Sequence, residues 1–317
     1  MKIKILFMGT PAFAVPVLQT LIDQGFPIVG VVCQPDKPQG RKQILTAPPV
    51  KELALKYDIP ILQPASLRGP DIEQEIRQLA PDMIVTAAYG KILPQNLLDL
   101  PSLGCLNVHA SLLPKYRGAA PVQWSLINGE QDTGITIMMM DAGMDTGEIL
   151  TQQPVHIPEN IDSEAMLEKL SKLGARMLPQ AIRDYTSGDI VPYAQNEAEA
   201  LTIGMLNRNM GEIDWSKSAR EIHNMVRGLY PWPGAYTYCG GKKLKVHRTQ
   251  VCYDQDLTEA SRSLEPGTIC SCGGLVRVAT GDGVLDLLEV QNQSGKRMHC
   301  RDCAHNYRLG QVMGGDE

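Results

Sequence analysis

The chain has 317 residues, of which 43% are hydrophobic and 21% charged, and it carries a net charge of −5. That length predicts two domains rather than one oversized core, and the composition is that of an ordinary globular protein. The acidic balance excludes a protein that coats nucleic acid by bulk charge, although the stretch beyond residue 207 is close to neutral and leaves room for a local basic patch.

The apolar run that opens the chain ends at Gly9-Thr10-Pro11, too early for a secretory core with a cleavage site. No apolar stretch approaches the length of a membrane span. Eight cysteines in such a chain are expected as reduced thiols, so the expected location is cytoplasmic.

Residues 3–8, 27–33, 58–62, 82–88 and 105–109 read as buried strands of a parallel sheet, with candidate helices at 16–25, 48–57 and 71–79 between them. This alternation predicts right-handed βαβ units and hence a doubly wound, Rossmann-like sheet. Strands at 134–140 and 148–157 follow. A long helix then starts at Asp162-Ser163 and carries Leu167, Leu170, Leu173, Leu178 and Ile182 along one face. Pro179 is expected to kink it and Gly188 to stop it. Residues 189–206 read as a polar connector. Beyond them lie one helix at 218–229 and short strands at 235–239, 243–248, 268–270, 276–279 and 284–290, separated by turn signals. Such strands predict a small β-barrel of the oligonucleotide-binding type. The expected architecture is therefore α/β, with a catalytic domain over 1–188, a linker over 189–206 and a barrel over 207–317.

Gly9-Thr10-Pro11 after the first strand lacks the G-x-G-x-x-G spacing of a dinucleotide site, so no nicotinamide cofactor is expected. The informative segment runs from Asn107 to Pro121. It begins on a strand and passes into a loop at the carboxyl edge of a parallel sheet, where ligands bind. Asn107 and His109 are two apart on an extended strand and share a face. An amide donor beside an imidazole suits an oxyanion that forms when an amine attacks an acyl carbon. The loop from Asp141 to Gly147 follows, and Asp145 is placed to orient the imidazole.

The strings NVHASLLPKYRGAAPVQW and DAGMDTGEIL resemble the folate-dependent formyltransferase family. ILFMGTPAFAVPVL, QPDKPQGRK, GEIDWSKSA and YPWPGAYT bring the resemblance closer to its tRNA-acting branch, over nearly the whole chain. The resemblance implies transfer of formyl from 10-formyltetrahydrofolate to the amino group of methionyl initiator tRNA, for translation initiation. It implies Asn107, His109 and Asp145 as catalytic residues, and Ser111, Leu112, Leu113 and Pro114 as the lining of the reduced-folate site. Arg41, in the loop 34–42, matches a basic residue that enters the acceptor-stem region, with Lys42 beside it. Lys243, Lys245 and Arg248, within a wider basic group that includes Lys242, His247, Lys296, Arg297 and Arg301, are expected to meet tRNA phosphates. Met205 stands where the family often has lysine, with Arg208 nearby. The expected partners are that tRNA and the folate, with no membrane and a monomeric state.

Cys270-x-Cys272 and Cys300-x-x-Cys303, with His299 and His305, raise a zinc site, but Cys-x-Cys is an unusual zinc pair and the resemblance implies no metal, so none is expected. The rival readings are a formyltransferase or formyl-folate hydrolase acting on a small amine or on water, and a non-catalytic RNA-binding protein. The first would dispense with Arg41 and the basic barrel; the second is disfavoured by the intact trio.

Overall fold

The computed structural model describes residues 2–40 and 42–314. The chain divides into two compact units, one made of Met1–Gly118, Asp132–His156 and Leu167–Ile203, the other of Ala119–Gln131, Ile157–Met166 and Gly204–Glu317.

The elements run β1 (Ile5–Gly9), α1 (Ala14–Asp23), β2 (Ile28–Val32), β3 (Lys37–Gln39), β4 (Ile44–Thr46), α2 (Pro49–Lys56), β5 (Ile61–Leu62), α3 (Pro70–Leu79), β6 (Met83–Ala87), α4 (Gln95–Leu98), β7 (Cys105–His109), β8 (Lys115–Gly118), α5 (Pro121–Ile127), β9 (Asp132–Met139), β10 (Ile149–His156), α6 (Ser163–Ser187) and β11 (Leu201–Ile203). In the first unit seven strands form one sheet, ordered β10-β9-β7-β6-β1-β2-β5. The five from β7 to β5 are parallel, and β9 and β10 add antiparallel strands at one end. β1 and β6 are buried at every position, which is why they read as unbroken apolar runs rather than alternating ones.

Several local expectations need correction. The strand expected over 58–62 is only Ile61–Leu62, because Asp58 takes a positive φ of 53° and its N–H closes the end of α2 on the Leu55 carbonyl. The loop 34–42 contributes to an antiparallel hairpin, with Lys37 paired to Thr46. The long helix α6 starts as expected, with the Asp162 carboxylate accepting from the Ala165 N–H, and runs unbroken through Pro179 to Gly188, which has φ 82°. The expected connector contains β11, which pairs in parallel with β8. Among the described residues no helix is long and apolar enough to cross a membrane.

The second unit continues with α7 (Ala219–Leu229), β12 (Ala235–Cys239), β13 (Lys242–Val251), α8 (Gln255–Ser261), β14 (Ile269–Ser271), β15 (Val276–Ala279), β16 (Val284–Asn292), β17 (Met298–His299) and α9 (Cys300–Cys303). Ser218 and Glu221 form a reciprocal capping box that satisfies two free N–H groups at the start of α7. The antiparallel sheet is ordered β12-β13-β16-β15-β14, with β17 also on β16. It curls into the expected small barrel. Its two edge strands are tied by the tail, since Met313 bridges to Cys239 at the end of β12 and Val312 bridges to Thr268 before β14. These bridges cover part of each edge and shorten the open hydrogen-bonding rows that an unclosed sheet would present. Inside, α7 packs Ile222 and Val226 against Leu244, Val246, Leu285 and Trp215, whose indole N–H donates to the Thr237 hydroxyl.

Candidate active site

β7 ends at the carboxyl edge of the parallel strands, between β6 and β9. Asn107 lies opposite Thr86 on β6 and Met138 on β9, and His109 lies opposite Thr136. The Thr86 hydroxyl donates to Asn107 Oδ1 at 2.8 Å. That bond turns the amide nitrogen toward Asp145, whose Oδ1 is 3.4 Å from Asn107 Nδ2. His109 is buried, with Nε2 3.0 Å from the Tyr116 carbonyl oxygen and Nδ1 3.6 Å from the same Asp145 Oδ1. A carbonyl can only accept, so Nε2 carries a hydrogen and Nδ1 is the ring nitrogen left to gain or lose a proton.

Asp145 comes from the loop between β9 and β10, with a left-handed φ of 55° that costs a non-glycine residue energy. Its Oδ2 accepts the Gly118 N–H at 2.8 Å. Two glycines permit the close backbone packing around it. A Cβ on Gly118 would lie 2.5 Å from the Ile203 carbonyl oxygen, and one on Gly147 would lie 2.0 Å from that of Met139. The structure thus brings Asn107, His109 and Asp145 together. An amide donor and an imidazole nitrogen converge on one carboxylate oxygen at distances longer than tight hydrogen bonds, an arrangement that leaves both available to a developing oxyanion.

The turn from Ser111 to Pro114 sits beside this group and contains a cis Leu113–Pro114 bond. The Ser111 hydroxyl is fully buried and donates to the Lys115 carbonyl at 2.7 Å. Thr136 and Gln152 tie the turn down: Thr136 Oγ1 donates to the Ser111 carbonyl at 2.7 Å and Gln152 Nε2 donates to the Leu113 carbonyl at 2.8 Å. Leu113 packs with Met138 and Ile149, while Leu112 and Pro114 are half-buried.

Sequence reasoning missed three polar residues here. Thr86 orients Asn107. Arg117 and Gln195, both buried, bond to one another, and Gln195 bonds to the Asp145 loop. Arg117 is within the recognisable motif, whereas nothing in the spacing around Gln195 distinguishes it from a connector residue.

Residues 1–182 match the family model described as formyl transferase, and residues 205–308 match that of the formyl transferase C-terminal domain. The chain is 46% identical to a methionyl-tRNA formyltransferase of Acetivibrio thermocellus, over 98% of this chain and 99% of the relative. It is 49% identical to one of Pelobacter propionicus, over 93% and 90%. The chain belongs to the methionyl-tRNA formyltransferase family. Its fold also matches, with TM-score 0.67 and 18% identity, an N-formyltransferase from Helicobacter canadensis solved with folinic acid and dTDP-3-aminofucose, over 90% of this chain and 98% of that one.

Of the basic residues expected to meet tRNA, Lys42 lies in a turn and Lys243, Lys245 and Arg248 lie on β13. Lys42 is exposed in the turn between β3 and β4, and Arg41 lies outside the described residues. On β13, Leu244 and Val246 point into the barrel core while Lys245 is exposed and Lys243 half-exposed, with Lys243 Nζ 3.2 Å from the centre of the Tyr236 ring. A bulge between Val246 and Thr249 shifts this alternation, so Arg248 faces outward, 3.8 Å from both Asp162 and Glu289. Met205 is 81% exposed.

Burial pushes the Cys300 thiol up to about 12, and Cys303 and Cys270 also rise by desolvation. Cys300 and Cys303 belong to the barrel core, and among the described residues no group of three His, Cys, Asp or Glu side chains is arranged to hold a metal ion.

Proposed function

We propose that the chain transfers the formyl group of 10-formyltetrahydrofolate to the amino group of methionyl initiator tRNA, acting in the cytoplasm as a monomer, and that Asn107, His109 and Asp145 carry the chemistry. The observation that carries the site assignment is the convergence of Asn107 Nδ2 and His109 Nδ1 on one oxygen of Asp145, at 3.4 and 3.6 Å. The pair of formyl transferase matches and the near-full-length relatives support the choice of reaction.

In this reading the methionyl amine attacks the formyl carbon, a C–N bond forms, and the carbonyl π electrons move to oxygen. Asn107 Nδ2–H and protonated His109 Nδ1–H donate to that oxyanion. Because Nε2 is anchored on the Tyr116 carbonyl, the ring presents Nδ1 without rotating. Asp145 receives the proton shed by the amine, directly or through water. Collapse restores the carbonyl, breaks the bond to the folate nitrogen and returns that proton to it. No covalent enzyme intermediate is required. Ser111, Leu112, Leu113 and Pro114 border the folate, with Ser111 and Leu113 as the buried footing of the turn. Lys42, Lys243, Lys245 and Arg248, with Arg41, meet tRNA phosphates, and residues 1–188 and 207–317 serve as catalytic and tRNA-holding domains on either side of the linker at 189–206.

The test is incubation with 10-formyltetrahydrofolate and charged initiator tRNA, with free methionine and a charged elongator tRNA as controls. Formyl-methionine on the initiator alone is the expected result. Formylation of free methionine at a comparable rate, or none of either, refutes the assignment.

A further inference from the structure

Asp145 depends on a grip that lies outside the trio. Its left-handed backbone places it at the far side of a loop that includes Gly143 and Gly147, so contacts from elsewhere must hold that conformation. Two come from neighbouring segments. Gly118 N–H holds the carboxylate, and the Gln195 carboxamide holds the backbone, its Nε2 donating to the Asp145 carbonyl at 2.8 Å and to the Gly147 carbonyl at 2.7 Å.

The orientation of Gln195 is itself determined. Its Oε1 accepts from Arg117 Nε at 3.1 Å and Nη2 at 2.8 Å, and Arg117 forks onto Glu197 through Nη1 at 2.9 Å and Nη2 at 2.6 Å. The Glu197 hydrogen bonds raise the Arg117 pKa further above its ordinary value, so the guanidinium stays a pure donor. Flipping the carboxamide would set N–H against N–H and carbonyl against carbonyl. All its hydrogen-bonding positions are used, in a buried setting where each unmade bond is expensive. β8 supplies one grip through Gly118 and aligns the other through the adjacent Arg117.

We infer that Gln195 is a positioning residue for the reaction: aligned by Arg117, it holds the backbone at Asp145 so that the carboxylate faces His109 and Asn107. The inference rests on the catalytic reading of Asp145 given above. A displacement of the order of an ångström at a reacting group costs up to about 100-fold in rate. Q195A is therefore expected to lower turnover about 10- to 100-fold with little change in the Michaelis constants for folate or tRNA. Q195E keeps the size and still accepts from Arg117 but offers no donor to the two carbonyls, so it is expected to lose as much, and it carries the same comparison should Q195A fail to fold.

The deciding experiment is a double-mutant cycle with D145N, reading turnover, Michaelis constants and thermal midpoint for each variant. If Gln195 works through Asp145, adding Q195A or Q195E to D145N causes no further loss of turnover. Multiplied losses overturn the inference, as does a loss seen only as higher Michaelis constants or as a fall in the folded fraction. Normal turnover in both Gln195 variants beside a crippled D145N overturns it while leaving the trio in place. Normal turnover in D145N itself refutes the catalytic reading of Asp145, and this inference falls with it.

Discussion

The end of β7 and the outer face of β13 are both polar, yet their side chains stand in opposite physical situations. At β7, His109 and its neighbours are buried or half-buried, and each has a named partner within the unit: Thr86 for Asn107, Tyr116 for His109, Gly118 for Asp145. On β13, Lys245 and Arg248 are exposed, and the acidic partners of Arg248 lie at 3.8 Å. In a low-dielectric setting a dipole or charge acts strongly on whatever reacts beside it; in water the same charge is screened and contributes a small, additive share of binding. The contrast is between chemistry that fails when one group is lost and adhesion that fades by degrees.

The sharpest way to break that contrast is His109→Ala. Loss of a general acid–base group lowers turnover by roughly 10²- to 10⁴-fold, and folate affinity is expected to change little. Asn107→Ala follows, with a loss on the order of 10²-fold, the usual effect of deleting one oxyanion donor. Single-turnover rates beside folate titrations check both; a His109→Ala enzyme that turns over normally but binds folate poorly would reverse the roles given to the trio and the turn.

The same contrast explains what was legible in the sequence. β1 and β6 read directly because strands covered on both faces are apolar without interruption, whereas the two-residue β5 was expected too long. Asn107 and His109 read as neighbours because a strand repeats every two residues. α5 did not read, although Pro121 at its first turn is a start signal, because seven residues give too few turns for a periodicity. The hairpin of β3 and β4 hid because Ile44 and Leu45, its apolar residues, are both exposed and so mark no inner face. Gln195 was invisible for a different reason: its partner Arg117 is 78 positions away, and no local pattern encodes a pairing across that distance. Buried polar support for a site is written in three dimensions only.

Smaller effects are expected on β13. Lys243→Ala and Lys245→Ala should each weaken tRNA binding several-fold and reduce the slope of log affinity against log salt by about one, a result read from binding isotherms at several salt concentrations. Arg248→Ala should do less, because its charge is shared with Asp162 and Glu289. A salt slope that ignores both lysines removes them from the phosphate contact.

The smallest effect concerns stability and sits on α7. His223 is buried, donating from Nε2 to the Glu159 carbonyl at 3.1 Å and accepting at Nδ1 from the Thr249 hydroxyl at 3.0 Å. Desolvation lowers its pKa, assisted by Arg227 and Arg220 and opposed by Glu159. The folded value is therefore below the unfolded one of about 6.5. Above that pH both states are neutral and the stability is complete; as pH falls below it the unfolded chain takes up a proton first, and stability drains away until pH passes through the folded value. His223→Gln keeps a donor and an acceptor but cannot titrate. It should cost about 1 kcal/mol at neutral pH, from imperfect replacement of two hydrogen bonds, and flatten the loss of stability below about pH 6.5. All three tryptophans, Trp124, Trp215 and Trp232, belong to the same unit as His223, so denaturant midpoints followed by tryptophan emission report the right transition. Parallel pH profiles for the two proteins would place the acid sensitivity of this unit on its carboxylates instead.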